Sequence, residues 1–337
     1  MTALSFDTTE PAPALDFGAL ATRIRAEGHL DRRLCYYWIK IGSTVAAYAV
    51  GWLAFFVVGN SWASLGIAVF LGVASTQLGF LGHDAGHGQI FASRYANRML
   101  GFALANGLIG LSFGWWVPKH SAHHAHPNQM RRDPDIGVGL VGPLTRWDVQ
   151  LFLPLMLLRS TGLYTLSAKD LLRRADRGAV SECLLLALRT ALYLSAVLWV
   201  LSVSKAVAFI AVYEATFSFY LGCSFAPNHK GMPVLDPDST MSFARRQIVT
   251  ARNVTGGRCT GFILGGLNYQ IEHHLFPTMP RPSLRRAQHL IREFCTENAL
   301  GYCEEPPVRS YRRAMRGSSG AGIEPPAQLR APSGTRE

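Results

Sequence analysis

Three short stretches of this chain hold the side chains best suited to chemistry. They are His83-Asp84-Ala85-Gly86-His87, His120-Ser121-Ala122-His123-His124 with His126 just beyond, and Gln270-Ile271-Glu272-His273-His274, which together carry eight of the 11 histidines. On a helix, residues three or four apart share a face. His83 and His87 therefore point at one spot, and His120, His123 and His124 are expected to point in much the same direction. Imidazole suits iron, zinc and copper. A structural zinc site closes with four ligands, whereas seven box histidines are enough for two metal ions with open positions. A redox-active pair of that kind can bind and activate O₂; a closed site cannot. His29 and His289 stand alone and are expected to be ordinary surface or core residues, while His126, one helical step off its box, is open between ligand and bystander. The six cysteines form no C-x-x-C pair, so neither a zinc ribbon nor an iron–sulfur cluster is indicated.

The elements that must position these histidines read as membrane helices. Residues 41–59 carry no charge and suffice for a ~30 Å hydrocarbon core. A short turn at Gly59, Asn60 and Ser61 leads to a second uncharged run, 62–82, which ends at the first histidine. Residues 183–203 and 206–226 form a second tight pair around Ser204 and Lys205, and the third histidine box lies beyond it. Each span of that pair holds one ionisable residue, Arg189 and Glu214, expected to pair within the bundle or to lie near a substrate path. The stretch 99–117, broken by Asn106 and four glycines, is read as re-entrant or interfacial, because a full crossing would put the first two boxes on opposite sides of the membrane. Residues 149–158 are apolar but too short to span.

Composition agrees with this reading. The chain has 337 residues, of which 49% are hydrophobic and only 16% charged, with a mean hydropathy of +0.14; an average soluble domain is roughly 25% charged. The net charge of +11 sits between and after the apolar runs rather than in one basic stripe, which favours a membrane surface over nucleic acid. Residues 1–20 lack a charged-then-apolar start, so insertion is expected through the internal helices. The Lys and Arg distribution places both termini and both large polar segments in the cytosol. The expected architecture is all-α and integral to the membrane: four long spans topped by a cytosolic helical cap holding a di-metal site. Its expected divisions are a loose N-terminal tail (1–20), the membrane domain (21–305) and a disordered C-terminal tail (306–337).

The stretches HDAGH, KHSAHH followed by Pro127-Asn128, and NYQIEHHLFP resemble the three histidine boxes of membrane fatty acid desaturases, and the resemblance covers roughly residues 35–300. It implies that His83, His87, His120, His123, His124, His273 and His274 ligate two irons. A further family histidine near the end of the last span matches His229 in FAPNHKG, which is carried over as a ligand. The third box begins with Gln270 rather than histidine, as in front-end desaturases; Gln270 is expected to ligate directly or through water, or to hydrogen-bond a ligand. The implied reaction is O₂-dependent removal of two hydrogens from a CoA- or lipid-linked acyl chain. Two electrons from the substrate and two from outside reduce O₂ to two waters.

Fused relatives carry a haem-binding HPGG stretch that is not found here, so a separate donor is expected, such as ferredoxin or a cytochrome b₅-type protein with its reductase. Arg131, Arg132, Arg245, Arg246, Arg285 and Arg286 would steer an acidic donor or meet anionic headgroups. Asp84, Asp133, Asp135, Asn128, Asn268 and Glu272 are candidates to orient the imidazoles, and Trp115, Trp116, Tyr269 and Phe276 to line the acyl path or simply to pack. Two rivals remain. One is a lipid or carotenoid hydroxylase or ketolase with the same boxes. The other is a histidine-rich metal transporter, which should place ligands in mid-span instead.

Overall fold

The computed structural model describes residues 15–136, 154, 156–174 and 176–318. Most of the short apolar stretch 149–158 lies outside them, as do residues 1–14 and 319–337 of the two expected tails. The described chain is helical apart from two strands of two residues, Asn253–Val254 and Glu304–Glu305, which pair in parallel.

Four helices are long and apolar enough to cross a membrane: α2 (Leu34–Val58), α3 (Ser64–Gly86), α7 (Arg177–Val200) and α8 (Val203–His229). They form two hairpins whose tips touch. The Asn60 side chain accepts from the Ser202 amide at 3.1 Å, and Lys205 Nζ donates to the Asn60 carbonyl at 2.8 Å. The histidine-bearing ends of α3 and α8 therefore lie together at the opposite end. These two helices form the centre of the bundle. Gly72 lets them close up, since a Cβ there would stand 2.9 Å from Thr216 and 3.0 Å from the Tyr213 carbonyl. Leu71, Leu78, Phe55, Phe209 and Tyr213 fill the core around this contact. The outer faces stay apolar, with Val57 79% and Trp199 85% exposed, as lipid-facing surfaces require. Both central helices outrun their apolar stretches, so His83 sits on the last turn of α3 and His229 ends α8.

The expected re-entrant stretch is a broken helix. The run from α4 (Arg94–Phe102) through a π-helical segment (Ala103–Ile109) meets α5 (Phe113–Ala125) at 114°. The turn needs Gly110, whose φ of 91° suits a residue without Cβ. Glu182, on the first turns of α7 and 2% exposed, pins the break. It accepts from Ser112 Oγ at 2.5 Å, the Gly114 amide at 3.1 Å and Asn106 Nδ2 at 3.2 Å, and pairs with Arg174 at 2.8 Å. Glu182→Ala would leave the Ser112, Gly114 and Asn106 donors without this acceptor, while Arg174 keeps Asp170 and Asp176. A loss of about 1–3 kcal/mol is expected, visible as a lower unfolding temperature in detergent together with weaker metal retention, because α5 carries the second box.

A helix opens the stretch 17–40, which reads as helical although 1–20 reads as a tail, and another stands where the loose C-terminal tail is expected. Helix α1 (Phe17–Ala26) is capped by Asp16, which accepts from the Ala19 amide at 2.8 Å. Its Leu20 and Ile24 pack into the same core as Leu284, Ala287, Leu290 and Ile291 of α12 (Arg281–Glu297). At the other end α13 (Pro307–Ser318) answers a defect in α8. Pro227 has no N–H, which frees the carbonyl of Cys223 four residues earlier, and Tyr311 of α13 donates to that carbonyl at 2.8 Å. Helix α6 (Arg159–Arg173) precedes the second hairpin, and between α8 and α12 lie the short cap helices α9 (Phe243–Val249), α10 (Arg258–Ile263) and α11 (Gln270–Leu275).

Arg189 and Glu214 do not form the expected ion pair. Arg189 donates from Nε to the Leu108 carbonyl at 3.2 Å, and Glu214 accepts from Ser160 Oγ at 2.9 Å.

Candidate metal centre

Four elements converge on the mouth of the bundle. The end of α3 brings His83 and His87, α5 brings His120, His123 and His124, the end of α8 brings His229, and α11 brings His273 and His274. Their nitrogens sort into two adjacent groups, each with ligand atoms within 4.8 Å of one another: His83, His87, His120, His124 and His273 in one, and His123, His229 and His274 in the other.

The second box thus divides instead of pointing one way. Consecutive helical residues lie about 100° apart. His120 and His124 therefore face the first group, and His123 turns to the second. The His273-His274 pair divides likewise. The groups touch where His124 and His274 stack, ring centres 4.2 Å apart.

Several imidazoles are held from behind. The Asp133 carboxylate lies 3.0 Å from His123 Nδ1 and also accepts from the Asn128 amide at 2.7 Å. His229 Nδ1 meets the Thr250 carbonyl at 2.9 Å, and His274 Nδ1 meets Gln247 Oε1 at 2.8 Å. A hydrogen donated from Nδ1 in these contacts leaves Nε2 as the free lone pair. Gln247 also donates to the carbonyl of His124 at 2.9 Å, tying the second and third boxes together. Asp84 Oδ1 lies 3.5 Å from His83 Nδ1, while its other oxygen pairs with Arg281 of α12 at 2.7 Å.

The donor set fits metal ions. His87 Nε2 and His273 Nε2 are buried without a hydrogen-bond partner among the described residues. His120 Nε2 lies 3.2 Å from the Nε2 atoms of both His83 and His124, and His229 Nε2 lies 3.0 Å from that of His274. A neutral imidazole offers one donor and one acceptor, so so many inward lone pairs cannot all be satisfied by one another. Burial pushes His87, His120, His124, His273 and His274 well below the usual imidazole range, which keeps them neutral, the form that ligates. Burial would lower His123 as well, but the Asp133 hydrogen bond and the charges of Asp135 and Asp133 outweigh it and raise its proton affinity.

Gln270 lies beside the second group. Its Nε2 is 2.9 Å from His229 Nε2, and its Oε1 accepts from Asn228 at 3.0 Å. In this amide orientation it presents a donor inward; reversing the amide ends would present oxygen. His126 belongs to neither group and meets Gln129 Oε1 at 2.9 Å. His29 meets Glu27 at 3.2 Å, and His289 meets the Arg286 carbonyl at 2.8 Å.

Among the other expected orienting residues, Asp135 lies 3.6 Å from His123 Nδ1. Glu272 turns away from the metal side, accepting from Tyr302 at 2.6 Å and Asn253 at 2.7 Å, and burial raises its carboxyl to about 7. Among the described residues Asn268 meets none of the imidazoles; its backbone carbonyl accepts from the Val254 amide at 3.0 Å. Gln247, Thr250 and Arg281 are missing from the sequence-based set. Arg281 stands four residues beyond the Phe276-Pro277 that ends the third-box motif, a usable signal; the other two stand in an unremarkable stretch before the strand Asn253–Val254. Asp133→Asn is expected to weaken metal affinity about 10–100-fold, measured by chelator competition on the purified protein.

The fatty acid desaturase family model matches residues 60–306. The chain is 30% identical over 332 residues to an acyl-lipid (9-3)-desaturase of Physcomitrium patens, an alignment covering 88% of this chain and 61% of that protein. It is 32% identical over 312 residues to a Delta(5) fatty acid desaturase of Caenorhabditis elegans, covering 85% and 69% respectively. With a Delta(8)-fatty-acid desaturase of Euglena gracilis it shares 30% identity over 315 residues, covering 85% and 74%.

Proposed function

The chain belongs to the fatty acid desaturase family, and on that premise we propose that it is an O₂-dependent desaturase of CoA- or lipid-linked acyl chains, acting at a histidine-ligated di-iron centre. The observation that carries this reading is the sorting of eight imidazoles, five and three, at one end of four membrane spans. His83, His87, His120, His124 and His273 would hold one iron, and His123, His229 and His274 the other. Gln270 either turns its oxygen to the second ion or orients His229.

When bound, the iron pair would supply the electron transfer to O₂ that activates it toward the unactivated C–H bonds of the substrate. The chain's own residues set the conditions. Neutral buried imidazoles offer lone pairs, and Asp133, Gln247 and the Thr250 carbonyl fix three of the rings. Trp116, stacked on His120 with ring centres 4.5 Å apart, walls the first group.

The third box and the named activities of the relatives support front-end action, between an existing double bond and the carboxyl end. We place the cap and both termini on the cytosolic side. A separate electron carrier, ferredoxin or a cytochrome b₅-type protein with its reductase, would be steered by the exposed Arg131, Arg132, Arg285 and Arg286 and the partly exposed Arg245 and Arg246; the same residues can meet anionic lipid headgroups. A mid-span ligand set, which a metal transporter would need, is not where these histidines stand.

The test is expression in a host with a compatible reductase, followed by gas chromatography–mass spectrometry of total fatty acids. A new unsaturated acid, absent with His273→Ala, is expected, and its double-bond position decides the front-end assignment. Hydroxylated acids in its place would move the assignment to the hydroxylase rival.

A further inference from the structure

Halfway along the spans, polar side chains gather where hydrocarbon-like packing is the rule. Ser75 stands near the middle of α3, Arg189 of α7 and Glu214 of α8. Tyr48, Tyr164, Tyr193 and Tyr213 surround the Arg189 guanidinium. Part of the cluster is satisfied. Ser75 Oγ and Tyr213 OH share a hydrogen bond of 2.9 Å, Tyr48 OH donates to the Leu108 carbonyl at 3.2 Å, and the guanidinium covers the Tyr193 ring at 4.9 Å.

Three buried donors are left over: Arg189 Nη2 and the hydroxyls of Tyr164 and Tyr193 have no partner among the described residues. Tyr193 is only 8% exposed, so bulk solvent does not satisfy it. In low-dielectric surroundings each unpaired donor costs free energy, and an arginine lacking a carboxylate at ion-pair distance costs more. What all three lack is an acceptor.

The cluster connects to the metal centre along one face of α3. Ser75, Gly79 and His83 follow at four-residue steps, and Gly82 lies on the same side. The rise from Ser75 to His83 is ~12 Å. Gly82 is buried, yet among the described residues no neighbour stands within 4 Å of the place its Cβ would take; at Gly79 only the tip of Ile109 does, at 3.8 Å. The described residues thus leave open space beside Gly82 and little beside Gly79, on the side of α3 that leads from His83 toward the tyrosines.

We propose that Arg189, Tyr164 and Tyr193 form a binding site for an acceptor oxygen, hydroxyl or carbonyl, carried on the distal part of the lipid chain whose reacting carbons lie at the histidines. The inference rests on the acyl-chain reading of the metal centre. It makes the mid-membrane cluster a gauge of substrate identity and of how far the chain runs past the reacting bond.

The test uses the metal-loaded protein in lipid nanodiscs and competition binding of stearic acid against a series of stearic acids with a ketone scanned along the chain. At one or two adjacent ketone positions, binding on the order of tenfold tighter than stearic acid is expected, and that ratio should fall to about one in Tyr193→Phe and Arg189→Met. If Arg189→Met fails to fold, Tyr193→Phe and Tyr164→Phe, each missing a single oxygen, carry the comparison. Equal binding at every ketone position, or a preference that survives in the tyrosine variants, would overturn the inference, the donors then being satisfied by water. Failure of stearic acid and all its ketones to bind, like ketone-independent binding, overturns the inference alone; the acyl reading stands or falls on the fatty acid product analysis given above.

Discussion

Replacing His124 with Ala is expected to abolish double-bond formation and to strip metal from the protein. The ring is buried at the junction of the two nitrogen groups, stacked on His274 at 4.2 Å and 4.5 Å from His87. Its removal deletes one ligand of the first group and the wall between the groups in one step. The loss should exceed the roughly 10–100-fold that follows removal of a partner that only orients a ligand. His126→Ala provides the contrast two residues away. That ring hydrogen-bonds Gln129 and faces neither group, so metal content should stay at the wild-type value. Metal analysis of both purified variants, with product analysis in cells, checks the pair. Full activity in His124→Ala would remove the basis of the two-metal assignment.

Arg281→Met should strongly destabilise the cap. Arg281 and Asp84 are 8% and 2% exposed, and their charges meet at 2.7 Å. Arg281 also donates to the Phe80 carbonyl at 2.9 Å, and its amide donates to Tyr37 OH at 3.2 Å. The side chain thereby fastens the helix after the third box to the helix that bears the first. Without the guanidinium, Asp84 keeps a buried uncompensated charge next to His83. Breaking a buried pair in this way costs about 3–5 kcal/mol, whereas removing both charges often costs little. Thermal unfolding in detergent should therefore show a large loss in Arg281→Met and partial recovery in Asp84→Asn/Arg281→Met. If the double variant is as unstable as the single, the ion pair is not what joins the two boxes.

Much of this was legible in the sequence because the bilayer constrains it so tightly. The uncharged runs at 41–59 and 62–82, and the apolar runs at 183–203 and 206–226 with one ionisable residue each, match α2, α3, α7 and α8, and Asn106 with its glycines marked the broken helix. The histidine clusters announced a metal site by spacing alone. How the ligands divide was harder to read. Shared-face rules group His120, His123 and His124, but with two targets side by side the 100° step between neighbours decides which ring serves which ion. Groups that act through a single long-range contact leave no local pattern. Glu182 reads as one more acid near a helix start, and Gln247 as one more polar residue on a short helix. The C-terminal helix hid for another reason, whereas residues 17–40 read as helical. Residues 307–318 are short and rich in arginine, and their order comes from a distant partner, the carbonyl freed by Pro227 for Tyr311.

The central claim is that two neighbouring histidine groups hold two iron ions. The most direct measurement is the elemental metal content per chain of protein purified without chelator from iron-replete cells. Two irons per chain are predicted, falling in His124→Ala and His274→Ala but not in His126→Ala. A single metal ion per chain, or zinc in place of iron, would contradict the account.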